Sequence, residues 1–190
     1  MRIATVAYED QIARVVPLTL QGIAENCRSR LPEAYRYRPW VLAYPNKDFT
    51  AVFTADVQAD AYAAAYTGMH IGKLSMVFDK ARETGTFTSD IAIVDWGCGQ
   101  GLATLALKEY LAKHGLANCH IREVVLIEPS PISLPRAEVN VRHALPGISV
   151  RTVGKVLDDV VLDDVRTSGR YRVVHIFSNI LDIEIGRAHV

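Results

Sequence analysis

The rhythm of apolar and polar positions changes near residue 90 of the chain. Ahead of that point apolar residues recur at helical spacing. Ile12, Val15, Leu20 and Ile23 fall roughly on one side of a helix over Gln11 to Cys27, and Pro17 inside it predicts a kink or division near Val16. Tyr62, Tyr66, Met69, Leu74 and Val77 predict a long helix from Asp56 to about Ala81, weakened in its middle by Gly68 and Gly72. Phe49 to Phe53 reads as a short strand, and Glu83-Thr84-Gly85-Thr86 as a linker.

Beyond residue 90 the pattern becomes an alternation of strands and helices. Ile91 to Val94 is a β-branched run suited to a strand covered on both faces of a parallel sheet. Leu102, Leu105, Ala106, Tyr110 and Leu111 then follow helical spacing, and Lys113-His114-Gly115 supplies cations and a glycine stop. Glu123 to Ile127 predicts a second strand ending at Glu128. Ser130 is an N-cap candidate and Pro131 a first helical residue, ahead of an apolar face of Leu134, Ala137, Val141 and Ala144 that Pro146-Gly147 ends. Ile148 to Val153 predicts a third strand, Leu157, Val160 and Val161 a short helix, and Val173 to Phe177 a fourth strand. The predicted fold is α/β: a Rossmann-like doubly wound sheet, incomplete at about four parallel strands, with a mainly helical N-terminal extension over residues 1-88.

Composition narrows the function classes only slightly. Of the 190 residues, 49% are hydrophobic and 22% charged, which is ordinary for a globular chain, and the formal net charge is zero. No global field favours nucleic acid or a membrane surface, so such binding would need a local patch. Cys27, Cys98 and Cys119 are odd in number and lack C-x-x-C spacing, which supports neither a disulfide framework nor a metal site. With no apolar leader or spanning stretch either, the expectation is a cytoplasmic protein.

Chemistry concentrates where the first strand runs into Asp95-Trp96-Gly97-Cys98-Gly99-Gln100-Gly101. Glycines between a strand and a helix N-terminus let backbone approach a ligand closely. A dinucleotide fingerprint wants glycine at position 102, where this chain has Leu102, so a nicotinamide-dependent enzyme is disfavoured. The order Asp-x-G-x-G-x-G instead resembles the first motif of the class I S-adenosylmethionine-dependent methyltransferases. A carboxylate such as Asp95 suits a ligand bearing a sulfonium and an amino group. At the end of the second strand Glu128 can accept both hydroxyl protons of a ribose, and the resemblance assigns it that role.

The resemblance covers roughly Ile91 to Asp182 and implies S-adenosylmethionine as cofactor, held by Asp95, Gly97, Cys98, Gly99, Gln100, Gly101, Glu128 and Pro129. It further implies that Tyr66, Met69 and His70, on the helix before the first strand, line the site. Ser178, Asn179 and Asp182, after the fourth strand, become weak catalytic candidates by position alone. Gly154-Lys155, with Asp158 and Asp159, match the family's adenine-contacting position poorly, and no contact is assigned there.

Other readings stay open. Arg28, Arg30, Arg36 and Arg38 are interleaved with Tyr35, Tyr37, Trp40 and Tyr44, which could grip nucleic acid but better suits a proline-punctuated loop with aromatics on the core and solvated arginines. The methyl acceptor is open, with RNA preferred because a helical extension ahead of the glycine motif resembles the layout of a ribosome-associated methyltransferase-like family. The methyltransferase-like unit is expected over 89-183 and a non-native tail over 184-190, as in a C-terminally truncated member of the family with a downstream domain missing. The alternative to an enzyme is a non-catalytic, degenerate cofactor-binding or assembly module.

Overall fold

The computed structural model describes residues 2–45, 52–116 and 118–178. Its centre is a sheet of four parallel strands in the order β3-β2-β1-β4, with β1 at Ile91–Trp96, β2 at Ile121–Ile127, β3 at Ser149–Val153 and β4 at Arg172–Phe177. The predicted α/β class, the parallel sheet and the helical extension are all present. β1 is buried from Ile91 through Asp95, as its unbroken apolar run requires in a sheet covered on both faces.

Six of the helices lie in the order α1 (Arg2–Ile12), α2 (Leu20–Arg30), α3 (Trp40–Ala43), α4 (Asp56–Glu83), α5 (Leu102–Lys113) and α6 (Ser133–Ala144). The helix predicted over Gln11 to Cys27 is divided. Residues 13–19, including Pro17, lie outside regular helix, and α2 restarts where the Thr19 side chain accepts from the Gly22 amide at 3.0 Å. In α4, Gly68 and Gly72 do not interrupt the helix, but its buried face differs from the predicted one. Ala59, Ala63, Thr67, His70, Leu74 and Phe78 face inward, while Met69 and Val77 are 43% and 60% exposed. Alanines and a histidine carry that face because α4 packs on α2, α3 and α5, where small side chains allow close approach.

The third predicted helix resolves into a single 3-10 turn at Leu157–Asp159 and a one-turn α7 at Leu162–Val165. α6 begins later than predicted. Ser130 Oγ accepts from the Ser133 amide at 3.0 Å across a turn holding Pro131 and Ile132, so the capping residue stands ahead of the regular helix. Val52 and Phe53 are not in a strand, and residues 49–51 of that predicted strand lie outside the described residues.

One continuous apolar core joins the extension to the sheet. Tyr8, Ile12, Leu20, Ile23 and Cys27 pack in the same cluster as Ile91, Ile93, Leu105, Leu126 and Val141. The opposite face holds a smaller cluster of Val94, Val125, Ile127 and Val153, flanked by Val160 and Val165. On that face the ring of Trp96 stacks on Phe177 with centroids 5.3 Å apart, and Phe177 is 47% exposed. Among the described residues β4 pairs only with β1, which leaves its other edge unpaired there. No helix among the described residues is long and apolar enough to cross a membrane.

Candidate functional site

The strand order reverses direction between β1 and β4, since β2 and β3 are added on one side of β1 and β4 on the other. In open α/β sheets that switch point, at the carboxyl ends of the strands, is where a crevice forms. The glycine turn occupies it. Gly97, Gly99 and Gly101 have φ of 55°, 53° and 75°, left-handed values that glycine adopts without a steric cost. The turn is pinned by Cys98 N donating to the Ile127 carbonyl at 2.9 Å and Gly101 N donating to the Cys98 carbonyl at 2.7 Å. A Cβ on Gly99 would meet nothing within 4 Å, so this glycine borders open space. One on Gly101 would lie 3.2 Å from Val141 Cγ2 and 3.4 Å from Ala137 Cα, so that glycine serves helix packing instead.

Asp95 is completely buried at the end of β1, beneath the first turn of α5. Its Oδ2 accepts from Thr104 Oγ1 at 2.7 Å and from Thr104 N at 3.3 Å, a carboxylate placed against the positive end of a helix. Its Oδ1 has no hydrogen-bond partner. Burial pushes the Asp95 carboxyl up from 3.8 to about 7, against the lowering pull of the Thr104 bonds, and the neighbouring charge of Glu128 adds to the rise.

Glu128 follows β2, its backbone held by N–H donation to the Val153 carbonyl at 3.1 Å. Its Oε2 accepts from Gly99 N at 3.0 Å and its Oε1 from Ser130 N at 2.9 Å. Burial raises its pKa, and the two backbone donors oppose that rise. Each carboxylate oxygen keeps lone-pair capacity for a further donor. Pro129 follows Glu128 and is half-buried.

An aromatic group from α3 and α4 adjoins Glu128. Tyr62 meets Tyr44, Phe53 and Tyr66 at centroid distances of 6.1, 5.5 and 5.0 Å. Burial, the neighbouring tyrosines and the charge of Glu128 together hold the Tyr44 hydroxyl above its usual range. His70 is buried at the edge of this group, with Nε2 2.8 Å from Tyr62 Oη and Nδ1 3.4 Å from Ser178 Oγ. Burial and then the Lys73 charge bring its pKa down to about 4, so the imidazole is neutral at physiological pH.

The fold therefore brings Asp95, the glycine turn, Glu128 and Pro129 to one edge of the sheet, with Tyr66, His70 and Ser178 nearby. Met69 points to solvent on the other side of α4. Asn179, Asp182 and the tail over 184–190 lie outside the described residues. Cys98 is buried, and burial holds its thiol well above the usual range, so it is an inert wall of the turn. Gln100 carries no exposed surface at all; its side chain is turned inward, into the helices.

Sequence reasoning missed Thr104, Tyr44 and a set of charged residues behind the turn. Asp60 is buried on α4 among Ala59, Ala61, Ala63 and Ala64, and Arg136 is buried on α6. A charge embedded in an otherwise apolar helix face is the signal that would have marked both. In the basic-aromatic stretch, Arg28 and Arg36 donate to main-chain carbonyls, those of Arg36 and Ala64 for the former and Leu31 and Ser29 for the latter. Tyr37, at 89%, and Trp40, at 52%, remain exposed. No protein-family model and no curated protein matches the chain.

Proposed function

We propose that this chain binds S-adenosylmethionine at the β1–β4 switch point and presents it for methyl transfer. The observation that carries the reading is Asp95: a fully buried carboxylate at the end of β1 with one oxygen anchored to Thr104 and the other left over. Leaving a buried acceptor unmade is costly, and a cationic donor arriving beside it would offset that cost. Gly99 leaves room for a ligand to approach the turn.

S-adenosylmethionine, when bound, supplies an electrophilic methyl group on a positive sulfur. Asp95 favours the positive amino-acid end. Glu128, already oriented by Gly99 N and Ser130 N, accepts from the ribose hydroxyls. The rings of Tyr44, Tyr62 and Tyr66 exclude water from the same side. Methyl transfer needs an in-line approach, so positioning by these groups supplies much of the catalysis. The acceptor we assign is RNA, on the strength of Tyr37 and Trp40, whose exposed rings flank Arg38.

Calorimetric titration of the protein with S-adenosylmethionine, and separately with NAD, tests the reading. Saturable binding of the first alone is expected, about tenfold weaker at pH 6 than at pH 8, because a carboxyl titrating near 7 must ionise to meet a cation. Glu128→Gln sets an amide against two backbone donors and should weaken binding about 10- to 100-fold. Absence of binding, or binding of NAD instead, would refute the assignment. For the acceptor, the Tyr37→Ala/Arg38→Ala double variant should lose RNA retention, and equal retention would remove RNA.

A further inference from the structure

Gln100 sits in the middle of the glycine turn, yet every polar atom of its side chain is spent on the helices behind it. Nε2 donates to the Ala59 carbonyl of α4 at 2.7 Å, and Oε1 accepts from Arg136 Nη1 at 3.4 Å. Its main-chain carbonyl accepts from Asn140 Nδ2 at 3.0 Å. The turn is thus gripped at one residue from both α4 and α6.

Those grips lead back to the N-terminal helices. Arg136 Nη1 also donates to Asp60 Oδ1 at 2.6 Å and its Nη2 to Asp56 Oδ1 at 2.7 Å. Asp60 in turn accepts from Arg30 of α2, through Nε at 3.0 Å and through Nη2. The ring of Tyr8 from α1 lies against both guanidinium groups, 4.5 Å from Arg136 Cζ and 5.6 Å from Arg30 Cζ. The Tyr8 hydroxyl donates to Asn140 Oδ1 at 3.0 Å, and the same Asn140 holds the Gln100 carbonyl. Two hydrogen-bonded routes, one through Asp60 and Arg136 and one through Tyr8 and Asn140, therefore end on Gln100. Replacing the network with apolar groups would stabilise a core as well, so its specific consequence is the conformation that it imposes.

We propose that Gln100 is a positioning residue through which the N-terminal helices set the cofactor turn, so that ligand affinity at Gly97, Gly99 and Glu128 depends on Tyr8, a residue of α1. The proposal rests on the cofactor reading above for its ligand, but not for the state of the turn. With Gln100 released, Gly99 N and Gly101 N lose the fixed directions in which they meet Glu128 and the Cys98 carbonyl. The extension is then a working part of the site and not a neighbouring module.

Amide hydrogen exchange on the ligand-free protein tests this, together with calorimetric titration with S-adenosylmethionine. Tyr8→Phe keeps the ring against the guanidinium groups and removes only the hydroxyl; it should speed exchange at Cys98, Gly99 and Gly101 about threefold and weaken binding by a similar factor. Gln100→Leu should do both about tenfold or more. Amides within β1 should keep wild-type exchange in each case. Unchanged exchange at the turn, or exchange that rises equally in β1 and in the turn, would overturn the proposal. Should Gln100→Leu fail to fold, Tyr8→Phe decides alone. A wild-type protein that does not bind S-adenosylmethionine would sink the cofactor reading, while exchange at the turn still decides whether α1 sets its conformation.

Discussion

Replacing Asp95 with asparagine should stabilise the protein while destroying its candidate function. The folded state holds the Asp95 proton more tightly than the unfolded chain does, since its carboxyl titrates at about 7 against an ordinary 3.8. Below pH 3.8 both states are protonated and nothing is lost. As the pH rises from there to 7 the unfolded chain releases its proton first, so stability falls, by about 4 kcal/mol for a shift of about three pH units. An amide carries no charge and escapes that cost, but its NH2 then takes the place of Oδ1, which has no partner, at about 1–3 kcal/mol. The net gain at pH 8 is about 2 kcal/mol, or roughly 4–8 °C in Tm for a chain of this size. At pH 5 the ionisation cost has shrunk to about 1.5 kcal/mol, and the gain should vanish. Thermal melts of both proteins at pH 8 and pH 5 measure the difference, in which titrating groups that do not feel the Asp95 charge cancel. A Tm gain of equal size at both pH values, or a loss at pH 8, would refute the reasoning. The same variant should show no calorimetric binding of S-adenosylmethionine.

The two glycines that differ in surroundings should separate stability from binding. Gly101→Ala forces a Cβ against Val141 and Ala137 at a φ of 75° and should cost about 1–3 kcal/mol in denaturant melts. Gly99→Ala meets open space at a φ of 53°, so its stability cost should stay near 1 kcal/mol while cofactor affinity drops at least as far as in Gly101→Ala. His70, brought down to about 4 from 6.5, contributes stability above pH 6.5 that is lost as the pH falls toward 4, about 3 kcal/mol in all. Urea melts of His70→Gln should therefore show a flatter acid limb across that window than wild type.

Strands and the helices between them were legible where burial on both faces leaves a continuous signal. Ile91 to Val94 and Val124 to Ile127 could only be interior strands, and Leu102 through Leu111 repeats its apolar residues often enough to fix a helix face. Asp95 and Glu128 were legible for the same reason, as carboxylates standing at the ends of such runs. The face of α4 was not, because alanines pack it and large residues such as Met69 and Val77 point outward. Periodicity counts large apolar side chains and overlooks small ones that a neighbouring helix requires. The helix after β3 was misread because Val160 and Val165 cover the sheet from two separate short pieces, the end of a 3-10 turn and the one-turn α7, too short for a repeating pattern. The pairing of the network behind Gln100 could not be read from sequence spacing, since Tyr8, Asp60 and Arg136 meet only once the chain has folded, although the charges of Asp60 and Arg136 on apolar helix faces mark each one singly.

The shared core has a consequence for how the chain is made. Tyr8 and Ile12 of α1 emerge early, but α1 packs chiefly on α6, which begins at Ser133, and the Tyr8–Asn140 bond spans 132 positions. At ordinary translation rates that separation corresponds to roughly 7–26 s, during which the buried face of α1 waits for α6. α1 is thus born without its chief partner, and a fusion junction or a truncation at residue 88 would leave it permanently in that state while α2 kept α4. An expression scheme that keeps a chaperone available during those seconds should matter more for this protein than one that lowers the temperature afterwards.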